Sequence, residues 1–141
     1  MISDMDIAMN CQCSKLRAAS RTITRIYDDA LRPLGLKANQ YTILIGTSLM
    51  GPVSITDLAN ELSMERTTLT RNLLPLEKDG FIQMQAGHGR VRNILITKAG
   101  RAKIDAGKPA WQTAQTLVLE QLGKENVSHL STALASISYQ P

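Results

Sequence analysis

Apolar residues recur at three- and four-residue steps over most of the chain, broken once by a short stretch that alternates. Leu16, Ala19, Ile23, Ile26, Tyr27, Ala30, Leu31 and Leu34 form one stripe and predict a helix over Cys13–Leu34. Pro33 and Gly35 break it. Tyr41, Leu44, Ile45 and Leu49 predict a second helix, capped by Asn39 and followed by a turn at Met50-Gly51-Pro52. A short helix comes next, capped by Ser54 or Thr56, with Leu58, Ala59 and Leu62 inside. Ser63 is the natural cap for a fourth helix, Met64–Asp79, which buries Leu69, Leu73 and Leu76, contains Pro75 and stops at Gly80.

The period then changes. Phe81–Ala86 and Val91–Thr97 alternate about a Gly87-His88-Gly89 turn and predict a β-hairpin. Thr97 caps a long helix to Leu122, in which Gly107 and Pro109 predict a kink. Gly123 ends that helix, and a last one is expected over Lys124–Ser138. The fold class is therefore mainly α with a small β-hairpin, in one domain over residues 1–141. The central part, 36–97, reads as a winged helix-turn-helix. The flanking helices, 11–34 and 98–138, carry apolar stripes at the chain ends and predict a homodimer.

Charge adds a partner to this outline. Net charge is only +4, but residues 64–103 hold eight basic side chains against three acidic ones. That local excess of five exceeds the excess of the whole chain, and a one-sided basic segment fits a polyanion as well as an ordinary solvated face. The helix pair joined at Ser63 has helix-turn-helix spacing, in which the first half of the second helix enters the major groove of duplex DNA. Glu65, Arg66, Thr67, Thr68, Thr70 and Arg71 are the positions expected to be exposed there. Arginine grips guanine through two hydrogen bonds, and threonine offers a hydroxyl and a methyl, so Arg66, Thr67, Thr68, Thr70 and Arg71 are the candidate readers. Arg90 and Arg92 on the hairpin are candidates for the flanking minor groove or phosphates. Aromatic residues are few and none clusters near the basic segment, which favours duplex DNA over single strands.

At these residues the chain resembles MarR-family transcriptional regulators. The resemblance is carried by Ser54-Ile-Thr-Asp-Leu-Ala-Asn-Glu-Leu, by Arg66-Thr-Thr-Leu-Thr-Arg71, and by Arg90-Val-Arg-Asn-Ile-Leu-Ile-Thr-Lys-Ala-Gly100. It implies a triangular homodimer joined by the terminal helices, with each subunit reading half of a pseudo-palindromic operator. By position, Arg90 matches the family's wing arginine. His88 stands where the family commonly has an aspartate that orients that arginine.

The family also implies an effector. Members release DNA when a small phenolic or other ligand binds, or when a cysteine is oxidised. Cys13-Ser-Lys-Leu-Arg-Ala-Ala-Ser-Arg21 and Tyr27 resemble the first helix of organic-peroxide-sensing members, where the matching cysteine is oxidised and the matching tyrosine approaches it from the other subunit. A second tyrosine of those sensors would fall at Ala38 and is absent. Cys11 is a candidate resolving thiol. Three readings of Cys13 stay open: a small interface residue, a redox sensor, or a metal ligand. Metal is the least supported, because C-x-C supplies two ligands and His88 and His129 are distant in sequence.

No catalytic constellation and no cofactor motif is present, so an enzyme is not expected. A thiol peroxidase using Cys11 and Cys13, and a winged protein-interaction module without DNA binding, are the rival function classes. The N-terminus lacks a basic stretch and an apolar core, and no run of apolar residues is long enough for a membrane span, so the expected location is cytoplasmic.

Overall fold

A computed structural model describes residues 1–139. Its elements are α1 (Asp4–Asn10), α2 (Gln12–Leu31), α3 (Ala38–Met50), β1 (Val53–Ser54), α4 (Ile55–Glu61), α5 (Arg66–Lys78), β2 (Ile82–Ala86), β3 (Arg92–Ile96), α6 (Lys98–Leu122) and α7 (Lys124–Ala135). The strands make one antiparallel sheet in the order β1-β3-β2, with Val53 opposite Ile94 and Met84 opposite Ile94 on its other side. The fold is thus mainly helical with a small wing, as the periodicities predict. No helix among the described residues is long and apolar enough to cross a membrane.

The predicted boundaries need five corrections. The stretch before Cys13 is not bare: α1 forms there because Ser3 and Asp6 cap it reciprocally, the Ser3 hydroxyl accepting from the Asp6 N–H at 3.1 Å and Asp6 accepting from the Ser3 N–H at 3.0 Å. The next helix ends at Leu31, and Arg32–Leu34 form a single 3-10 turn, since Pro33 cannot continue an α-helical ladder. The cap of α3 is Lys37 rather than Asn39. Its first N–H groups find partners outside the expected site: the Lys37 N–H donates to Gln40 and the Ala38 N–H to Asp28 of α2, at 2.7 Å. The last helix stops at Ala135, short of Ser138.

The fifth correction bears on function. Ser63 does not cap α5. It takes φ +49, and the Ser63 and Met64 N–H groups donate back to the carbonyls of Asn60 (3.2 Å) and Ala59 (2.8 Å). This is the paired-bond motif that ends a helix on a left-handed residue, so Ser63 closes α4. Met64 and Glu65 are then spent on the turn, with Glu65 extended as the residue before α5. The same motif recurs at the end of α5, where Gly80 has φ +77 and the Gly80 and Phe81 N–H groups donate to Glu77 and Leu76. Of the two candidate caps of α4, Ser54 is used, accepting from the Asp57 N–H at 3.1 Å.

One core joins the middle of the chain, from the end of α2 to the first half of α6. Leu31, Ile43, Leu44, Leu58, Leu69 and Ile94 are fully buried, bringing α2, α3, α4, α5 and the sheet together. The long α6 begins on the Thr97 cap, whose hydroxyl also donates to the Gly80 carbonyl, and so ties its start to the end of α5. Further along, α6 lies beside α2 and α3. Gly107 is there for close approach: a Cβ on it would sit 2.4 Å from the ring of Tyr41, whose hydroxyl donates to the Ile104 carbonyl at 2.9 Å.

Candidate nucleic-acid interface

Helix α5 is anchored by Leu69, Leu73 and Leu76, at most 4% exposed. Spacings of four and three residues put these three on one face, so the remaining positions turn outward. Arg66, Thr67, Thr70 and Arg71 are exposed, as expected. Thr68 is not: it is half-buried, and its carbonyl accepts from the Asn72 side chain at 2.8 Å. Glu65 lies before the helix rather than on it. The outward surface is therefore two arginines and two threonines within two turns, next to the tight turn at Ser63.

The wing places the other basic residues. In the hairpin the Gly87 N–H donates to Val91 at 2.8 Å and the Val91 N–H to His88 at 3.1 Å. Gly89 has φ +61 while Arg90 does not have positive φ, the pattern of a type II′ turn with glycine first. That turn puts Arg90 at the tip, exposed beside exposed His88. Arg92 opens β3 opposite Ala86. It shares a sheet face with Ile94 and Ile96 but lies past the end of the core and stays exposed. Among the described residues the ion pairs are Arg32–Asp29 and Lys108–Asp105, so Arg66, Arg71, Arg90 and Arg92 all point cationic groups at solvent without an acidic partner. Free guanidinium groups on a helix face and on an adjacent hairpin tip are suited to phosphates and base edges.

The redox candidates are spread out. Cys11 joins α1 to α2, its sulfur accepting from the Ser14 N–H at 3.4 Å, and Cys13 is exposed one residue inside α2. Both are free thiols. Tyr27 lies fourteen residues on, roughly 21 Å along the same helix at 1.5 Å per residue, so one chain does not bring it to Cys13. Its hydroxyl instead donates to the Gln115 side chain of α6, and burial pushes its phenol above the ordinary value of 10.0. His129 is exposed on α7, and no group of three or more His, Cys, Asp or Glu side chains among the described residues is placed to hold a metal.

One feature had no local signal in the sequence. A cavity of about 680 Å³ lies between α2, α3, α6 and the end of α4, with Ile23, Tyr27, Ile45, Leu62 and Trp111 in its wall. Its lining residues come from four separate elements, and only the folded chain assembles them. It lies where the terminal helices meet α3 and the end of α4, and its volume is in the range of small-molecule sites.

The MarR family model matches residues 36–89. The chain is similar to the transcriptional regulator MosR of M. tuberculosis, at 32% identity over 91% of this chain and 98% of that one, with a TM-score of 0.76. A structure of MosR in complex with DNA gives 33% identity, 90% and 98% coverage and a TM-score of 0.74. The HTH-type transcriptional regulator YwoH of Bacillus subtilis is 26% identical over 92 residues, 64% of this chain and 67% of YwoH. A mutant MarR of E. coli complexed with operator DNA shares the fold, with a TM-score of 0.83 at 20% identity over 94% of this chain and 97% of that one. The matched segment spans the α3–α5 helices and the first strand of the wing, the MosR likeness extends over 91% of the chain, and on these grounds the chain belongs to the MarR family of transcriptional regulators.

Proposed function

We propose that this regulator is a cytoplasmic homodimer that binds a pseudo-palindromic operator in duplex DNA and represses transcription until an effector releases it. The observation that carries the DNA reading is the surface of α5: Arg66, Thr67, Thr70 and Arg71 exposed directly after the Ser63 turn, with both arginines free of acidic partners. These four read base edges and phosphates in the major groove. Thr68, half-buried, holds the helix rather than reads. Arg90 at the wing tip and Arg92 grip the flank. The complex of the similar MosR with DNA supports the same partner here.

The dimer reading rests on apolar side chains exposed on the terminal helices. Met5, Ile7, Leu16, Leu117 and Leu134 are each at least 42% exposed. A second copy covering them through α1, α2, α6 and α7 removes that surface from water. Two release routes are proposed. A small ligand in the interhelical cavity bears on Leu62, which leads into the Ser63 turn and α5. Alternatively, oxidation of Cys13, with Cys11 as resolving thiol and Tyr27 supplied by the partner copy, rearranges the dimer end.

The test is a gel shift with the DNA upstream of the chain's own gene, run with and without organic hydroperoxide and a phenolic acid. The reading expects a shifted band that one of the two agents abolishes. A peroxide effect undiminished in Cys13→Ser removes the thiol route. No shift with this DNA favours a winged protein-interaction module instead.

A further inference from the structure

Helix α5 carries a large apolar side chain on its outer surface. Leu74 is 63% exposed, although the other leucines of the helix, Leu69, Leu73 and Leu76, are at most 4% exposed. Apart from Leu49 and Met50 at the end of α3 and Val91 in the wing, the remaining exposed large apolar side chains among the described residues lie on α1, α2, α6 and α7 or outside α1 and α7 at the chain ends. Those helices carry the proposed dimer surface, whereas Leu74 stands on the helix proposed to enter the major groove.

Its direction follows from its position. Seven residues are close to two full turns, so Leu74 lies within about 20° of Thr67 around the helix and about 60° from Arg71. Thr67, Thr70, Arg71 and Leu74 therefore form one outward stripe, with Leu69 and Leu76 on the opposite side. Along the axis, the stripe from Thr67 to Leu74 covers roughly 10 Å, the rise of about three base pairs. Lys78 is one turn further along the same stripe and, like Arg71, lies outside both ion pairs among the described residues. Leu74 is thus set between two cations that can each hold a phosphate. Exposed Glu77 and Asp79 lie beyond it, so Leu74 is the last position of the stripe that suits base edges.

The major groove offers such a side chain one apolar partner, the C5 methyl of thymine. Leucine neither donates nor accepts a hydrogen bond, so packed on the polar edge of another base it would leave a donor or acceptor unpaired. We propose that Leu74 is a specificity-determining residue that packs on a thymine methyl about one base step from the pair that Arg71 reads. The proposal deepens the DNA reading of α5 and rests on it.

The test is fluorescence anisotropy at matched salt with the duplex upstream of the chain's own gene. That duplex is made once with thymine and once with 2′-deoxyuridine throughout, which deletes each C5 methyl and keeps the base pairing. The parent is expected to bind the thymine duplex about fourfold or more tighter, the worth of one buried methyl group. Leu74→Ala is expected to weaken the thymine duplex by a similar factor and to lower the thymine-to-deoxyuridine ratio by about threefold or more. Leu74→Met, which conserves apolar volume, is expected to keep the ratio within about twofold of the parent's. A loss in Leu74→Ala that falls equally on both duplexes overturns the proposal and leaves Leu74 against sugar or phosphate. Affinities of Leu74→Ala equal to the parent's on both duplexes overturn it as well. A parent that binds both duplexes with no preference for thymine sinks this proposal alone, whereas a parent that binds neither sinks the DNA reading with it.

Discussion

Gly107→Ala is the most revealing single change for the junction between the terminal helices and the DNA-binding region. Position 107 is inside α6, where replacing glycine by alanine ordinarily gains about 1 kcal/mol of helix stability. Here the new methyl would stand 2.4 Å from one ring carbon of Tyr41 and 3.0 and 3.2 Å from two others. The ring must retreat by about 1 Å to reach ordinary contact, and its hydroxyl is held at 2.9 Å by the Ile104 carbonyl. Overpacking of this kind costs about 1–3 kcal/mol. Loss of the buried hydrogen bond adds about 1–3 kcal/mol. Against the helix gain, the net expectation is a destabilisation on the order of 2–3 kcal/mol. Urea unfolding followed by circular dichroism, at one fixed protein concentration because the dimer couples to stability, reads it out. The double variant with Tyr41→Leu is expected to cost clearly less than the sum of the two single changes, since the smaller side chain vacates the space. A Gly107→Ala protein as stable as the parent or more stable, or a loss unchanged by Tyr41→Leu, refutes the close-approach argument and returns Gly107 to the role of a helix-weakening kink.

Further outcomes follow from the same geometry. Ser63→Gly should stabilise by about 0.5–1 kcal/mol, because Ser63 pays for a left-handed conformation that glycine adopts freely. A loss in that variant would return Ser63 to the role of an N-cap. Ser54→Ala removes the acceptor of the Asp57 N–H and should cost about 1 kcal/mol in the same unfolding assay. Tyr27 ionises less readily folded than unfolded, so the folded state keeps its proton when the unfolded state begins to lose it. Its contribution is therefore complete below pH 10.0 and declines as pH rises above that value. Unfolding free energies at pH 9 and 11 should differ less in Tyr27→Phe than in the parent, and an unchanged difference would exclude this residue as a cause.

Much of the architecture was legible because it is periodic. The α2, α3, α5 and α6 stripes and the alternation at 82–86 and 92–96 each repeat often enough to identify an element. What was missed lacks that repetition. The two residues of β1 cannot display a period of two, and they pair only because β3 lies beside them. Helix α1 was signalled solely by Ser3 and Asp6, an acidic version of a capping box. Ser63 misled for a physical reason: a short polar side chain suits an N-cap, yet it also tolerates the left-handed turn, and the hydrogen bonds ending α4 decided between them. That shift left the exposed pair Arg66 and Arg71 in place while it took Glu65 off the helix and left Thr68 half-buried. The cavity was invisible because Ile23, Ile45 and Trp111 look like ordinary core residues until three helices leave space between them.

The measurement closest to the central claim compares specificity rather than affinity alone. Fluorescence anisotropy at matched salt would give the ratio of binding constants for the chain's own upstream DNA and an unrelated duplex, for the parent, Arg71→Ala and Arg90→Ala. The account predicts that Arg71→Ala lowers the ratio by about 1–3 kcal/mol worth of discrimination. Arg90→Ala should weaken both duplexes similarly and flatten the salt dependence by about one phosphate contact. Equal ratios and equal affinities for the parent and both variants would contradict the assignment of α5 and the wing as the DNA-reading surface.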